Sequence, residues 1–218
     1  MATKVKICGI TTLDDARQAA DLGAWAIGMI FWEGSPRRCE LDAAEEIAAD
    51  LRRRLEPTGV FVNATLDEIA YTADRCSLAI VQLHGDEGPV FCREVGRRTG
   101  CKVIKAARVK DAGSIQALHA FETDYHLLDA HKMGQVGGTG ETFEWDFVKT
   151  HGRHVPILLS GGLTPENVGA AIAATRPFAV DTASGTEASP GHKDPVKVEA
   201  FFRAVEQADA ALDQQVPA

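Results

Sequence analysis

The chain has no long apolar run. None of its hydrophobic stretches approaches the roughly 20 residues that a bilayer-crossing helix needs. It has no surplus of positive charge either: 23 Lys and Arg face 31 Asp and Glu, a net charge of −8. That leaves no electrostatic footprint for nucleic acid or an anionic membrane. Cysteine is sparse and unpatterned. Cys8, Cys39, Cys76, Cys92 and Cys101 are odd in number, and no two form a Cys-x-x-Cys pair. Neither a disulfide framework nor a zinc site follows from that spacing. The N-terminal stretch lacks a signal peptide's apolar core, because lysines interrupt it. These absences point to the reducing cytoplasm and to a small-molecule partner, with no nucleic acid and no membrane.

What is present is alternation. Short apolar runs stand at 5–7, 26–31, 59–62, 79–83, 102–105, 126–128, 157–159 and 179–180. Their starts recur at roughly the length of one βα unit. The runs are near-continuously apolar, as in a parallel sheet covered on its outer face. Amphipathic helical stretches lie between them, at 13–22, 43–55, 66–74, 88–98, 112–121, 145–149, 165–174 and 195–211. Thr11 or Thr12 caps the first, with Asp14 and Asp15 in its first turn, and Gly23 ends it. Thr65 precedes the third, and Thr164-Pro165-Glu166 opens the seventh. Eight strands alternating with eight helices predict a single (β/α)8 TIM barrel over residues 1–207, with 208–218 a frayed tail. A doubly wound open sheet also alternates, but it tends to carry Gly-x-Gly-x-x-Gly after its first strand, where Gly9 stands alone.

A barrel of this kind does its chemistry just after each strand. The residues there include Cys8, Gly9, Trp32 to Arg37, Asn63, His84, Ala106, Asp129, Ser160-Gly161-Gly162 and Asp181 to Gly185. An unpaired cysteine is ordinarily a small buried hydrophobe. At the end of the first strand, however, Cys8 faces a carboxylate, Asp129, from the sixth strand across the barrel. A base on one side and an acid on the other suit a proton-shuttling isomerase. Gly161 and Gly162 follow strand seven, and Ser184 and Gly185 follow strand eight. Small residues there let backbone N–H groups reach a phosphate, aided by a helix N-terminus near Pro165. The guanidinium of Arg37 or of its neighbour Arg38 can clamp a carboxylate at two points. His84 lies near the thiol or serves as a hydrogen-bonded structural histidine. Lys105 is an ion-pair partner or a Schiff-base lysine. The run Gly137-Gly138-Thr139-Gly140 reads as a flap.

Several of these stretches resemble the phosphoribosylanthranilate isomerase family of tryptophan biosynthesis. They are Lys6-Ile7-Cys8-Gly9-Ile10-Thr11, Gly59-Val60-Phe61-Val62-Asn63, Val81-Gln82-Leu83-His84-Gly85, Leu127-Leu128-Asp129, Gly137-Gly138-Thr139-Gly140, Leu159-Ser160-Gly161-Gly162-Leu163, Pro165-Glu166-Asn167-Val168 and 177–185. Each is weak alone; together, in order, they are specific. The resemblance implies Cys8 as general base and Asp129 as general acid. It implies Arg37, rather than Arg38, as the anthranilate contact. His84 joins the substrate-binding set, and Gly161, Gly162, Ser184 and Gly185 form the phosphate site. It further implies a flap that closes over the substrate, no metal, no organic cofactor, and a monomer or homodimer. The pattern departs at Asp181-Thr182-Ala183-Ser184-Gly185, where the family's usual Asp-x-Ser-Ser-Gly loses one hydroxyl, and at 130–136, which runs long.

The reaction implied is an Amadori rearrangement, in which the iminium serves as its own electron sink. Three rivals stand beside it. The parallel isomerisation of histidine biosynthesis is usually drawn with an aspartate where Cys8 stands. A Schiff-base aldolase would use Lys105. A non-catalytic phosphate-binding barrel would leave acid and base without purpose.

Overall fold

A computed structural model describes residues 2–129, 148, 151–152 and 154–214. Eight parallel strands close in chain order into a barrel: β1 (Lys4–Cys8), β2 (Ala26–Ile30), β3 (Glu56–Phe61), β4 (Ile80–Leu83), β5 (Lys102–Arg108), β6 (Tyr125–Asp129), β7 (Ile157–Ser160) and β8 (Ala179–Thr182). The last seam sets Lys4 opposite Ala179 and Ile7 opposite Thr182. The closed order excludes the open-sheet alternative.

Around the barrel run α1 (Leu13–Asp21), α2 (Leu41–Leu51), α3 (Leu66–Arg75), α4 (Pro89–Thr99), α5 (Ala112–Gln116), α6 (Val168–Thr175) and α7 (Pro195–Asp213). Local chemistry starts them. The Thr12 hydroxyl accepts from the Asp15 N–H, Thr65 and Glu68 form a capping box, and Asp194 accepts from Val196 and Lys197. The α5 helix is shorter than its pattern and tightens into a 3-10 turn over Ala117–Ala120. Helix α6 begins three residues after Pro165, because the Asn167 side chain takes the Thr164 N–H at 2.8 Å and makes a turn of that stretch. At the other end α7 reaches Asp213, through most of the stretch expected to fray. Strand β3 starts at Glu56, three residues earlier than expected, with Pro57 inside it. The Pro57 carbonyl still accepts from Ala79, so the ladder survives the missing N–H. One element was unexpected: a short antiparallel hairpin, β9 (Glu187–Ser189) with β10 (His192–Lys193), directly after β8. The anticipated flap at 137–140 and nearly all of the helix at 145–149 lie outside the described residues.

The two-residue period of the strands sorts the core into two layers. Val5, Ile7, Ile27, Val81, Leu128 and Val180 face outward and pack with Ala16, Ile47 and Phe201 of the helices. Ile80, Ile104, Tyr125, Leu127, Leu158 and Ala179 fill the lower barrel interior, closed beneath by Trp25 and Phe178. Each large aliphatic side chain among them contributes roughly 1.5–3 kcal/mol on burial. Higher up, the interior turns polar, with Lys6, Gln82 and Asp181 all buried. At the barrel's base, the Thr3 N–H and hydroxyl both donate to the Asp209 carboxylate, at 2.6 and 2.7 Å.

Candidate active site

Lys6 and Cys8 share the inner face of β1, because they are two residues apart. The Cys8 side chain is buried at the rim. The chain turns immediately beyond it at Gly9, whose φ of +75° suits glycine, and a Cβ there would meet the Arg37 side chain at 2.9 Å. This close passage brings Arg37 against the end of β1.

The two-point pair expected of Arg37 is already made, within the protein. Its Nε donates to Glu187 Oε1 at 2.8 Å, and its Nη2 donates to Oε2 at 2.8 Å. Glu187 comes from the unpredicted hairpin. It sits 3.4 Å from Lys193 Nζ, which donates to the Cys8 carbonyl at 2.7 Å. Burial works against the Glu187 carboxylate, but Arg37 and Lys193 outweigh it and hold its pKa below the ordinary range. Arg38, by contrast, is exposed beside Glu33 and Glu40, which makes it the solvated arginine of the pair.

Asp129 ends β6 half-buried, opposite Ser160 in register. His84 Nε2 lies 3.4 Å from Asp129 Oδ2, and His84 Nδ1 lies 2.9 Å from the Gln82 side-chain nitrogen. The two ring nitrogens of His84 thus link the Gln82 side chain to the Asp129 carboxylate. His84 therefore stands beside the acid.

The loops after β7 and β8 are joined. Gly161 and Gly162 take φ values of +104° and +68°, and the Asn167 side chain donates to the Gly162 carbonyl at 3.0 Å. Thr182 Oγ1 donates to the Leu163 carbonyl at 2.8 Å. A Cβ on Gly185 would collide with that same carbonyl oxygen. The pair of loops is thus a single packed unit opening on the rim. Because α6 starts at Val168, its N-terminus is set back from Gly162 by a turn.

Lys105 lies off the rim. It shares the outward face of Val103, is buried, and donates to Glu87 at 2.8 Å and to the Gly85 carbonyl at 2.7 Å. This is the ion-pair reading, and it removes the basis for a Schiff-base aldolase. Sequence reasoning missed Glu187 and Lys193. Neither follows one of the eight apolar runs, and no local pattern links position 187 to Arg37.

Around the rim, then, β6 supplies a carboxylate, β7 and β8 a double glycine loop, and β1 a thiol, on four consecutive strands. The comparisons with known proteins speak to the family. Residues 5–204 match the family model described as N-(5'phosphoribosyl)anthranilate (PRA) isomerase. The N-(5'-phosphoribosyl)anthranilate isomerase of Geotalea uraniireducens is 48% identical over 92% of this chain and 97% of that relative. The crystal structure of phosphoribosyl anthranilate isomerase from Thermotoga maritima superposes with a TM-score of 0.84 at 39% identity, over 94% of this chain and 99% of that one. A second solved structure is a phosphoribosyl anthranilate isomerase in complex with reduced 1-(o-carboxyphenylamino)-1-deoxyribulose 5-phosphate. It matches with a TM-score of 0.81 at 37% identity, over 94% and 99% of the two chains. The chain belongs to the N-(5'-phosphoribosyl)anthranilate isomerase family.

Proposed function

We propose that Cys8 is the general base and Asp129 the general acid of the family's isomerisation. The reaction converts N-(5'-phosphoribosyl)anthranilate to 1-(2-carboxyphenylamino)-1-deoxyribulose 5-phosphate. Asp129 protonates the furanose ring oxygen, and the ring opens to an iminium. Cys8 removes the proton from the adjacent sugar carbon, and the electron pair left behind neutralises the iminium to an enolamine. Tautomerisation gives the ketone. No metal or organic cofactor enters this scheme.

The observation that carries this reading is the order of groups on the rim: carboxylate on β6, glycine loops on β7 and β8, thiol on β1. A phosphate held by backbone N–H groups of Gly161, Gly162, Ser184 and Gly185 sits between the strands that bear acid and base. His84, its Nε2 3.4 Å away, orients the Asp129 carboxylate. The anthranilate carboxylate meets the end-on edge of Arg37, formed by Nη1 and Nη2, because the Nε edge is held by Glu187. Glu187 thus fixes the direction of the guanidinium before substrate arrives.

The proposed setting is cytoplasmic, with a monomer or homodimer acting on a small phosphorylated substrate. Among the described residues no helix is long and apolar enough to cross a membrane, and all five cysteines are free thiols. The test is direct. Purified protein mixed with freshly prepared phosphoribosylanthranilate should make the substrate's fluorescence decay faster than it does spontaneously. An unchanged decay would sink the assignment.

A further inference from the structure

A lysine lies beneath the thiol, and the mechanism above makes no use of it. Lys6 is completely buried, its Nζ 2.6 Å from Asp181 Oδ1. The same ammonium and the Cys8 sulfur line one small space, on the inner face of β1 next to Gly28. Gly28 on β2 makes room for both groups. A Cβ there would stand 2.7 Å from the Cys8 Sγ and 3.1 Å from the Lys6 Nζ. The second oxygen of Asp181 accepts from Ser160 Oγ at 3.1 Å, so the carboxylate is fixed from both sides. A buried ion pair is a poor device for stability, since an apolar pair of similar volume often does as well or better. A fixed charge in contact with a titratable sulfur does something an apolar pair cannot.

We propose that Lys6 is a positioning residue for this isomerisation: its ammonium, anchored by Asp181, stabilises the Cys8 sulfur as the anion that abstracts the sugar proton. The inference rests on the assignment of Cys8 as base. The charged groups around the sulfur are Lys6 on β1, Asp181 on β8, Lys193 on β10 and Arg37 after β2, with Glu187 of β9 between the last two. Burial pushes the Cys8 thiol up and leaves it above its ordinary value on balance, and Lys6 is the strongest charge pulling it back. Asp181 pushes it up again, and Lys193 draws it down. Burial disfavours the Lys6 ammonium itself, but Asp181 and Cys8 outweigh that and raise its pKa. Lys6 therefore stays charged where it lies.

Two substitutions should move the thiol in opposite directions. Lys6→Met removes the cation, so the thiolate should form at higher pH. Asp181→Asn keeps the shape but removes the competing anion, so Lys6 is left to pair with sulfur and the thiolate should form at lower pH. The experiment titrates the ultraviolet thiolate absorbance of each variant against its own Cys8→Ser background, and measures the pH profile of kcat/KM alongside. Each substitution should shift both the thiolate midpoint and the acidic limb of the profile by about one pH unit or more, the usual effect of a charge at this range. Lys6→Arg, which keeps the charge, should titrate close to the unsubstituted enzyme. Where Lys6→Met fails to fold, Asp181→Asn and Lys6→Arg still decide. A thiolate midpoint that stays put in Asp181→Asn overturns the proposal, however far kcat falls. A midpoint that moves while the activity limb does not would overturn the assignment of Cys8 as base instead.

Discussion

At Cys8 the decisive property is the sulfur. Cys8→Ser should fold normally by circular dichroism, yet lower kcat by at least about 10²-fold, the low end for general-base catalysis. Near-normal turnover would return Cys8 to the role of a small buried side chain. Asp129→Asn should abolish turnover of the closed-ring substrate while a product analogue still binds, because an amide delivers no proton to the ring oxygen. Loss of analogue binding with kcat spared would make Asp129 a binding residue. Arg37→Ala should weaken a carboxylate-bearing analogue by roughly 1.5–3 kcal/mol, the range for a hydrogen bond to a charged group. Inorganic phosphate should bind almost as before. Calorimetric titration with both ligands separates the two effects, and equal weakening of both would place Arg37 in the phosphate site. The rim positions of Cys8 and Asp129 were legible because each stands just past an apolar run, whereas Arg37 was told from Arg38 only by the family resemblance. Lys6 stands inside one, where a charged residue reads as a surface lysine. Glu187 pairs with Arg37 across 150 positions of sequence, and no local pattern announces such a contact.

At the scale of elements, the two glycine loops behave as one part. A side chain on Gly185 must displace the Leu163 carbonyl, so Gly185→Val should shift the β7 loop as well as its own. Inorganic phosphate and every phosphorylated ligand should then weaken together, in the reverse of the Arg37→Ala pattern. Undiminished phosphate affinity in Gly185→Val would mean that the anion is held elsewhere on the rim. The strands could be read from the sequence because a doubly covered parallel sheet needs unbroken apolar runs. Helix starts were readable where a side chain caps them, as at Thr12 and Thr65. They failed where a side chain made a competing turn: Asn167 bonds back to Thr164 and delays α6 to Val168. The β9–β10 hairpin is too short to show a period, so nothing in its sequence separates it from a loop.

For the whole molecule, a buried histidine pair behind β6 makes stability depend on pH. His126 Nδ1 lies 2.7 Å from His151 Nε2, and burial, with His151 beside it, pushes the His126 pKa down from 6.5 to about 4. Between those values the unfolded chain binds a proton that the folded chain refuses. The contribution is therefore complete above about pH 6.5 and is lost as pH falls toward about 4. Urea midpoints measured across that window should fall more steeply for the native chain than for His126→Gln, and parallel slopes would refute the assignment. The contact between Thr3 and Asp209 has a different reach. It brings the first strand and the last helix to one spot at the barrel's base, so the fold is a ring whose seam is covalently open only there. Circular permutation should follow. A short linker from the neighbourhood of Asp209 to that of Thr3, with a new opening among the exposed Arg52, Arg53 and Arg54, cuts none of the eight strands. The permuted chain should close the same barrel in the same register, with β8 then preceding β1 as the next barrel strand along the backbone.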